Sequence, residues 1–372
     1  MYRQLMDRRA RACTGAAALH DKTRASGQKA TGGVADSASA YTIRPMLSFV
    51  APALALATLV TGWRVAPPAV AGPVSARVAV VEDTALRSAL LRRIAEEPGA
   101  TVGLAFRPVG DGDGLDINGD AGFHAASTMK VPVMLEVMRR VDAGALSLVQ
   151  EVLLVNRFAS IADGSPFTLD PVDDSDSSMY ERLGSRVSIR ELTDRMITRS
   201  SNLATNALIA LVDPVRVSAT ASSLGTRGTH VLRGVEDQKA FELGLVNTTT
   251  AADLAALLVL IARDRAATPA SCALMREILL RQEFNERIPA GVPPGTPVAH
   301  KTGDITAVAH DAAIVFPAGR PPYVLVVLTK GITDVHRADS LIADLSRLVW
   351  RAMSPGATPP GGWMTPSSRP RY

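Results

Sequence analysis

Three short stretches hold residues able to do nucleophilic chemistry. The first spans residues 123–144, FHAASTMKVPVMLEVMRRVDAG, where Ser127 and Lys130 stand three apart. At helical spacing both side chains lie on one face, within reach of each other. A serine hydroxyl is a weak nucleophile until a base takes its proton. A desolvated lysine near another cation can be that base, because both influences lower its pKa. Ser127 at a helix N-terminus would also bring unpaired N–H groups to a developing oxyanion. Alone the pair is a weak signal: ordinary Ser and Lys usage makes S-x-x-K occur about once in a chain this long. Residues 26–29, SGQK, are a second copy in a polar segment. A helix cap followed by a surface lysine would look the same.

The second stretch is MITRSSNLATNAL, residues 196–208, in which Ser200, Ser201 and Asn202 interrupt an apolar helical pattern. Ser201 or Asn202 could simply cap a helix. Alternatively, Ser200 could relay a proton and Asn202 could bind a substrate carbonyl. The third is His300-Lys301-Thr302-Gly303. A lysine on an inner strand is costly unless paired or acting on an anion. Gly303 lets a ligand approach the backbone, and Thr302 offers a hydroxyl. An edge strand with a solvated lysine is the competing reading.

The elements that must position these residues follow from periodicity. An amphipathic helix is expected over 83–97, with Leu86, Leu90, Leu91 and Ile94 inward, then a strand over 101–109. A tight turn at 110–114 leads to a partner strand around 115–117. The apolar spacing of Val131, Met134, Leu135, Met138 and Val141 predicts the helix bearing Ser127, stopped at Gly144 with Arg139 and Arg140 in its last turns. Pro132 fits if a tight turn opens that helix. The acidic, Ser-rich segment 163–178 reads as a solvated loop at the rim. Further helices are expected over 187–211, 248–263 and 270–280. Strands follow over 298–302, 309–316 and 323–330, and a last helix over 335–353. The fold class is therefore α/β (α+β): an antiparallel sheet built from both ends of the mature chain, flanked by helices, with an inserted all-α region.

The chain has 372 residues, 47% of them hydrophobic, and a net charge of +4. Eight of its Lys and Arg fall within residues 1–45, so the rest is near neutral and the sequence offers no basic patch for nucleic acid. The six histidines lack metal-ligand spacing, and neither a metal nor a cofactor is expected. Of two cysteines, Cys272 alone lies in the folded part, as a buried thiol. Residues 47–63 are charge-free, follow Arg44 and precede A-x-A-like sites, which reads as a secretory signal with Met46 as its start. The expected organisation is a basic disordered extension over 1–45, the signal over 46–76 and a catalytic domain over 77–353. Its helical region covers about 119–246, and a disordered tail covers 354–372. The product is an exported, periplasmic or secreted monomer with no lasting membrane attachment.

Taken together, Ser127-Thr-Met-Lys130, Ser200-Ser-Asn202 and Lys301-Thr-Gly303 resemble the S-x-x-K, S-D-N and K-T-G elements of penicillin-recognising serine enzymes, in order and separation. Thr248-Thr249-Thr250 and the strand ending at Thr329 look most like class A β-lactamases. The resemblance covers about 77–353. It implies that Ser127 is the acylated nucleophile, Lys130 its base and Ser200 a proton shuttle. It further implies that Asn202 holds the substrate amide, that Lys301 and Thr302 take its carboxylate, and that Gly303 lets it approach. The oxyanion would rest on the N–H groups of Ser127 and Asp304. The implied substrate is a β-lactam or a peptidoglycan-like amide or ester.

Three departures qualify that reading. The family's R-x-E-x-x-x-N becomes Arg233-Gly-Val-Glu236, with the glutamate one residue late and Ala240 where the asparagine would stand. Glu236 is the expected water-activating base, with Asp237 and Glu242 behind it. Without such a base the protein would be a penicillin-binding peptidase or esterase, or a non-enzymatic β-lactam sensor. Ser201 replaces the aspartate of S-D-N. Asp304 puts a carboxylate after Gly303, where it would repel an anionic substrate if it pointed inward.

Overall fold

The computed structural model describes residues 83–353; the expected extension, export signal and tail lie outside the described residues. In chain order the elements begin with α1 (Asp83–Ala95), β1 (Thr101–Pro108), β2 (Leu115–Ile117), β3 (Phe123–His124), a 3-10 turn (Ala126–Met129) and α2 (Lys130–Asp142). Next come β4 (Glu151–Leu153), β5 (Phe158–Ala159), β6 (Pro166–Phe167), a second 3-10 turn (Ser177–Arg182) and β7 (Arg186–Ser188). The helices α3 (Ile189–Thr198), α4 (Asn202–Val212), α5 (Pro214–Ser223) and α6 (Gln238–Glu242) precede β8 (Thr248–Thr249). The chain continues through α7 (Ala251–Ala262), α8 (Pro269–Leu280), β9 (Val298–Ile305), β10 (Val308–Val315), β11 (Tyr323–Lys330) and α9 (Val335–Ala352).

Helix starts follow side-chain chemistry. Ser188, Ser201, Asp213, Thr250 and Thr268 each accept a backbone N–H at the N-cap, and prolines open α5 and α8. These side chains satisfy donors the helix itself leaves unpaired, and proline has no N–H to lose there.

The main sheet runs β2-β1-β11-β10-β9, antiparallel throughout, so strands from both ends of the described chain pair with each other. Alternate residues of β11 enter two different cores. Tyr323, Leu325 and Val327 join Leu104, Phe106, Leu90, Leu341 and Leu345 under α1 and α9. Val324, Val326 and Leu328 join Ile314, Met134 and Leu258 on the opposite face. Both faces are covered, which is why β11 reads as an unbroken apolar run rather than an alternating one. Residues Lys130 to Met138 are all buried, so α2 is enclosed on every side at the centre of the helical insertion.

The structure amends several local expectations. The α-helix begins at Lys130, and Ser127 lies in the 3-10 turn before it. The single helix expected over 187–211 is two, broken at Ser200, where φ is +57°. Thr248 and Thr249 form β8 against β3 rather than opening a helix. Leu91 is exposed, while Leu86 and Leu90 fill the core. Cys272 is buried, as expected.

Candidate active site

From Ala125 to Met138 every residue is buried except Ser127, which is partly exposed. The 3-10 turn that presents it carries local strain, with Ala126 at φ +45°. Hydrogen bonds hold it: Ala126 N donates to His124 Nδ1 at 3.0 Å, and Thr128 Oγ1 to Ala125 O at 2.6 Å. Burial, then the Arg233 and His310 charges, lowers the His124 pKa to about 4, which keeps its ring neutral and able to accept. Gly303 on β9 abuts the same turn. A Cβ there would sit 2.9 Å from Ser127 N and 3.0 Å from Thr128 N, so only glycine permits the strand to lie this close.

Lys130 is fully buried. Its Nζ donates to Ser200 O at 2.7 Å, Ser200 Oγ at 3.1 Å and Asn202 Oδ1 at 2.9 Å. Burial lowers its pKa to about 8, against the opposing pull of Asp174 and Glu236. A lysine at this value is neutral often enough near physiological pH to accept a proton. Ser201 takes the capping role, accepting Ala204 N at 3.2 Å, while Ser200 and Asn202 face Lys130. The capping expectation is met by Ser201, while Ser200 and Asn202 are left free of it and turned to the lysine.

Lys301 sits on β9, which is the edge strand rather than an inner one, yet the lysine is fully buried. The Ser127 turn packs against the same strand at Gly303. Lys301 Nζ donates to Thr302 O at 2.8 Å; burial, then the Lys130 charge, pushes it well below its ordinary pKa. Thr302 and Gly303 are buried beside it. Asp304 is held by Arg287, a buried guanidinium that also donates to Asp339 at 2.7 Å and to His310 O at 2.7 Å. The expected repulsion of an anionic substrate is thus offset by an adjacent positive charge. Burial would depress Arg287, but the Asp304 and Asp339 carboxylates hold its pKa above the usual value.

On the other side lies the loop of residues 233–247. Asn202 Nδ2 donates to Glu236 Oε1 at 2.5 Å, which brings Glu236 to the cluster despite its shifted place in sequence. Glu236 itself is at φ +61°. Neighbours fix its frame. Asn206 accepts Val235 N at 2.7 Å and donates to Val235 O at 3.0 Å, and Asn247 bonds the backbone of Leu232 and Arg233. The two acids behind Glu236 take other positions. Asp237 caps α6 and accepts Ser160 Oγ at 2.7 Å and Ile161 N at 2.9 Å, tying this loop to the β5–β6 hairpin. Glu242 is exposed on α6, bonded to Gln238.

The acidic segment expected to be solvated is partly buried. Asp174 and Asp176 are only 3% and 2% exposed. Asp174 Oδ2 accepts Asn202 N and Leu203 N, each at 2.9 Å, and Tyr180 OH at 3.1 Å. Asp174, Asn206 and Arg287 escaped the sequence reading, and no local pattern distinguishes them. Five aspartates between 163 and 176 look alike until the chain folds.

A sheet of this order with a central helix, a partly exposed serine and two buried lysines defines a serine-hydrolase class, that of β-lactamases and their relatives. Residues 85–353 match the β-lactamase enzyme family, and the chain belongs to it. A β-lactamase of Streptomyces fradiae is 30% identical over 307 residues, covering 80% of this chain and 95% of that protein. A β-lactamase structure from Sphaerobacter thermophilus DSM 20745 superposes with a TM-score of 0.62 at 28% identity, covering 74% of this chain and 99% of that one. PBP-A, solved as a mutant acyl-enzyme complex with penicillin G, aligns with the same TM-score and identity over 72% of this chain and 96% of its own.

Proposed function

We propose that this protein is an exported β-lactamase that opens the β-lactam ring through an acyl-enzyme on Ser127. The observation that carries the reading is the junction at Asn202, whose amide bonds Lys130 on one side and Glu236 on the other. Neutral Lys130 takes the Ser127 proton as Oγ attacks the ring carbonyl. Backbone N–H groups of Ser127 and Asp304 receive the oxyanion, and Ser200 passes a proton to the departing ring nitrogen. Asn202 holds the substrate amide, while Lys301 and Thr302 take its carboxylate, with Gly303 leaving room for it. Glu236 then removes a proton from water, which attacks the ester and frees Ser127. Each donor to the oxyanion is worth about 10²–10³ in rate.

Export rests on the apolar run at 47–63 with its small-residue sites. The catalytic unit is residues 77–353, acting as a monomer without lasting membrane attachment. No helix among the described residues is long and apolar enough to cross a membrane. A second reading, a penicillin-binding peptidase or esterase with slow deacylation, is favoured by Ala240 in place of the family's asparagine.

Mixing the chain from Arg77 with a β-lactam, while following ring opening and protein mass, decides between them. Repeated ring opening that disappears in Ser127→Ala supports the β-lactamase. A stable adduct without turnover supports the second reading. If neither appears, β-lactams are not substrates.

A further inference from the structure

The turn that supplies every acceptor of Lys130 is itself held by a carboxylate from another loop. Ser200 O, Ser200 Oγ and Asn202 Oδ1 all belong to residues 200–202. Any displacement of this turn therefore moves all three together. Its geometry needs support, because Ser200 is at φ +57°, a region that non-glycine residues hold only when the surroundings over-determine it. The two N–H groups that open α4, on Asn202 and Leu203, have no partner within the helix. Ser201, the middle residue of the motif, spends its hydroxyl on Ala204 N. The donors of Asn202 and Leu203 go instead to Asp174 Oδ2, at 2.9 Å each. Its neighbour Ser175 fastens the other flank, donating to Arg199 O at 2.8 Å.

We propose that Asp174 is a positioning residue for acylation: by accepting the Asn202 and Leu203 N–H groups it holds the turn that sets Ser200 and Asn202 against Lys130. The Asp174 carboxylate is preorganised, with Tyr180 OH and Asp176 N as further donors. It acts through the turn and does not touch the reacting atoms. The proposal rests on the assignment of Ser127 and Lys130 above. Its charge gives a readout that a purely structural role lacks. Lys130 is faced by Asp174 and by Glu236, and the Lys301 amine is close enough to feel its charge. Asp174 raises the Lys130 pKa, so removing that charge moves the midpoint of the acylation pH profile downward.

The test is the pH dependence of Ser127 acylation in the full chain, with penicillin G and, separately, a fluorophosphonate that needs no β-lactam recognition. Asp174→Asn keeps the shape and an acceptor but loses the charge. It is expected to lower the plateau rate about tenfold through misplacement and to lower the midpoint by about one pH unit. Asp174→Glu keeps the charge and displaces the acceptor, so the plateau falls while the midpoint stays closer to the parent. Asp176→Asn, in the same loop but bonded to Ser178 and Arg195, keeps the parent midpoint. A parental plateau and midpoint in Asp174→Asn overturns the proposal. So does a loss of rate that tracks thermal stability in both Asn variants with no movement of the midpoint. Phosphonylation without penicillin acylation defeats the β-lactam reading yet leaves Asp174 testable on the phosphonate profile. Failure of Ser127 to take either reagent sinks both.

Discussion

The two walls of the site are built in opposite ways. One is β9, where Lys301, Thr302 and Gly303 follow one another along a strand laddered to β10 across its whole length. The other consists of loops, where Glu236 and Asp174 come from segments roughly sixty residues apart and meet at Asn202. In the strand wall, backbone hydrogen bonds set the spacing and the chemistry depends on little beyond a close approach at Gly303. In the loop wall no ladder exists, so side chains do that work: Asn206, Asn247 and Asp237 pin the Glu236 loop, and Asp174 pins the Ser200 turn. A strand therefore carries function in a contiguous motif, whereas a loop carries it in scattered supports. The substitution of a family aspartate by Ser201 and the one-residue shift of Glu236 both fall in the loop wall. There, position is set by contacts rather than by register.

Four experiments press on that difference. The largest effect is expected from Glu236→Gln, which removes the proposed base while keeping the bond from Asn202. Adduct hydrolysis should slow by about 10³-fold while adduct formation persists, as followed by intact-protein mass. Unslowed turnover would remove Glu236 from the mechanism. Gly303→Val breaks the strand wall, since its Cβ would meet backbone N atoms of the Ser127 turn at about 3 Å. Acylation should fall about 10²-fold with the far-ultraviolet spectrum unchanged.

Asp237→Asn weakens the loop wall from outside. Hydrogen bonds from Ser160, Ala240 and Ile161, with the Arg233 charge, keep this carboxyl below its usual pKa against the effect of burial, so it is ionised at pH 7. Neutralising it should slow adduct decay about tenfold and leave adduct formation alone, which stopped-flow absorbance with single-turnover quenching separates. An equal loss in both steps would mean a general collapse of the site. The smallest effect is the pH response of the parent. Lys130 must be neutral to accept a proton, and its pKa is lowered to about 8. The acylation rate should therefore rise with pH and level off above that value, with a midpoint that would otherwise lie near the ordinary lysine pKa of about 10.4. A flat profile between pH 6 and 9 would exclude Lys130 as the base.

Much of this protein could be read before it folded. Ser127 and Lys130, Ser200 and Asn202, and Lys301 with Gly303 were visible because each group is local, and its spacing follows from helix, turn or strand geometry. The sheet joining both ends was legible too, since alternation and apolar runs mark strands wherever burial is two-sided. Tertiary structure alone decided the rest. The 3-10 turn beneath Ser127 depends on β9 pressing against it. Lys301 is buried although its strand is an edge strand, on which the same turn packs. Asp304 is paired through Arg287, which lies 17 residues away in sequence. Asp174, in a segment that composition marks as solvated, is drawn inward by the unpaired donors of α4. Local sequence can specify torsion angles and periodic faces, but a buried charge is placed by whichever donors the finished fold leaves facing it.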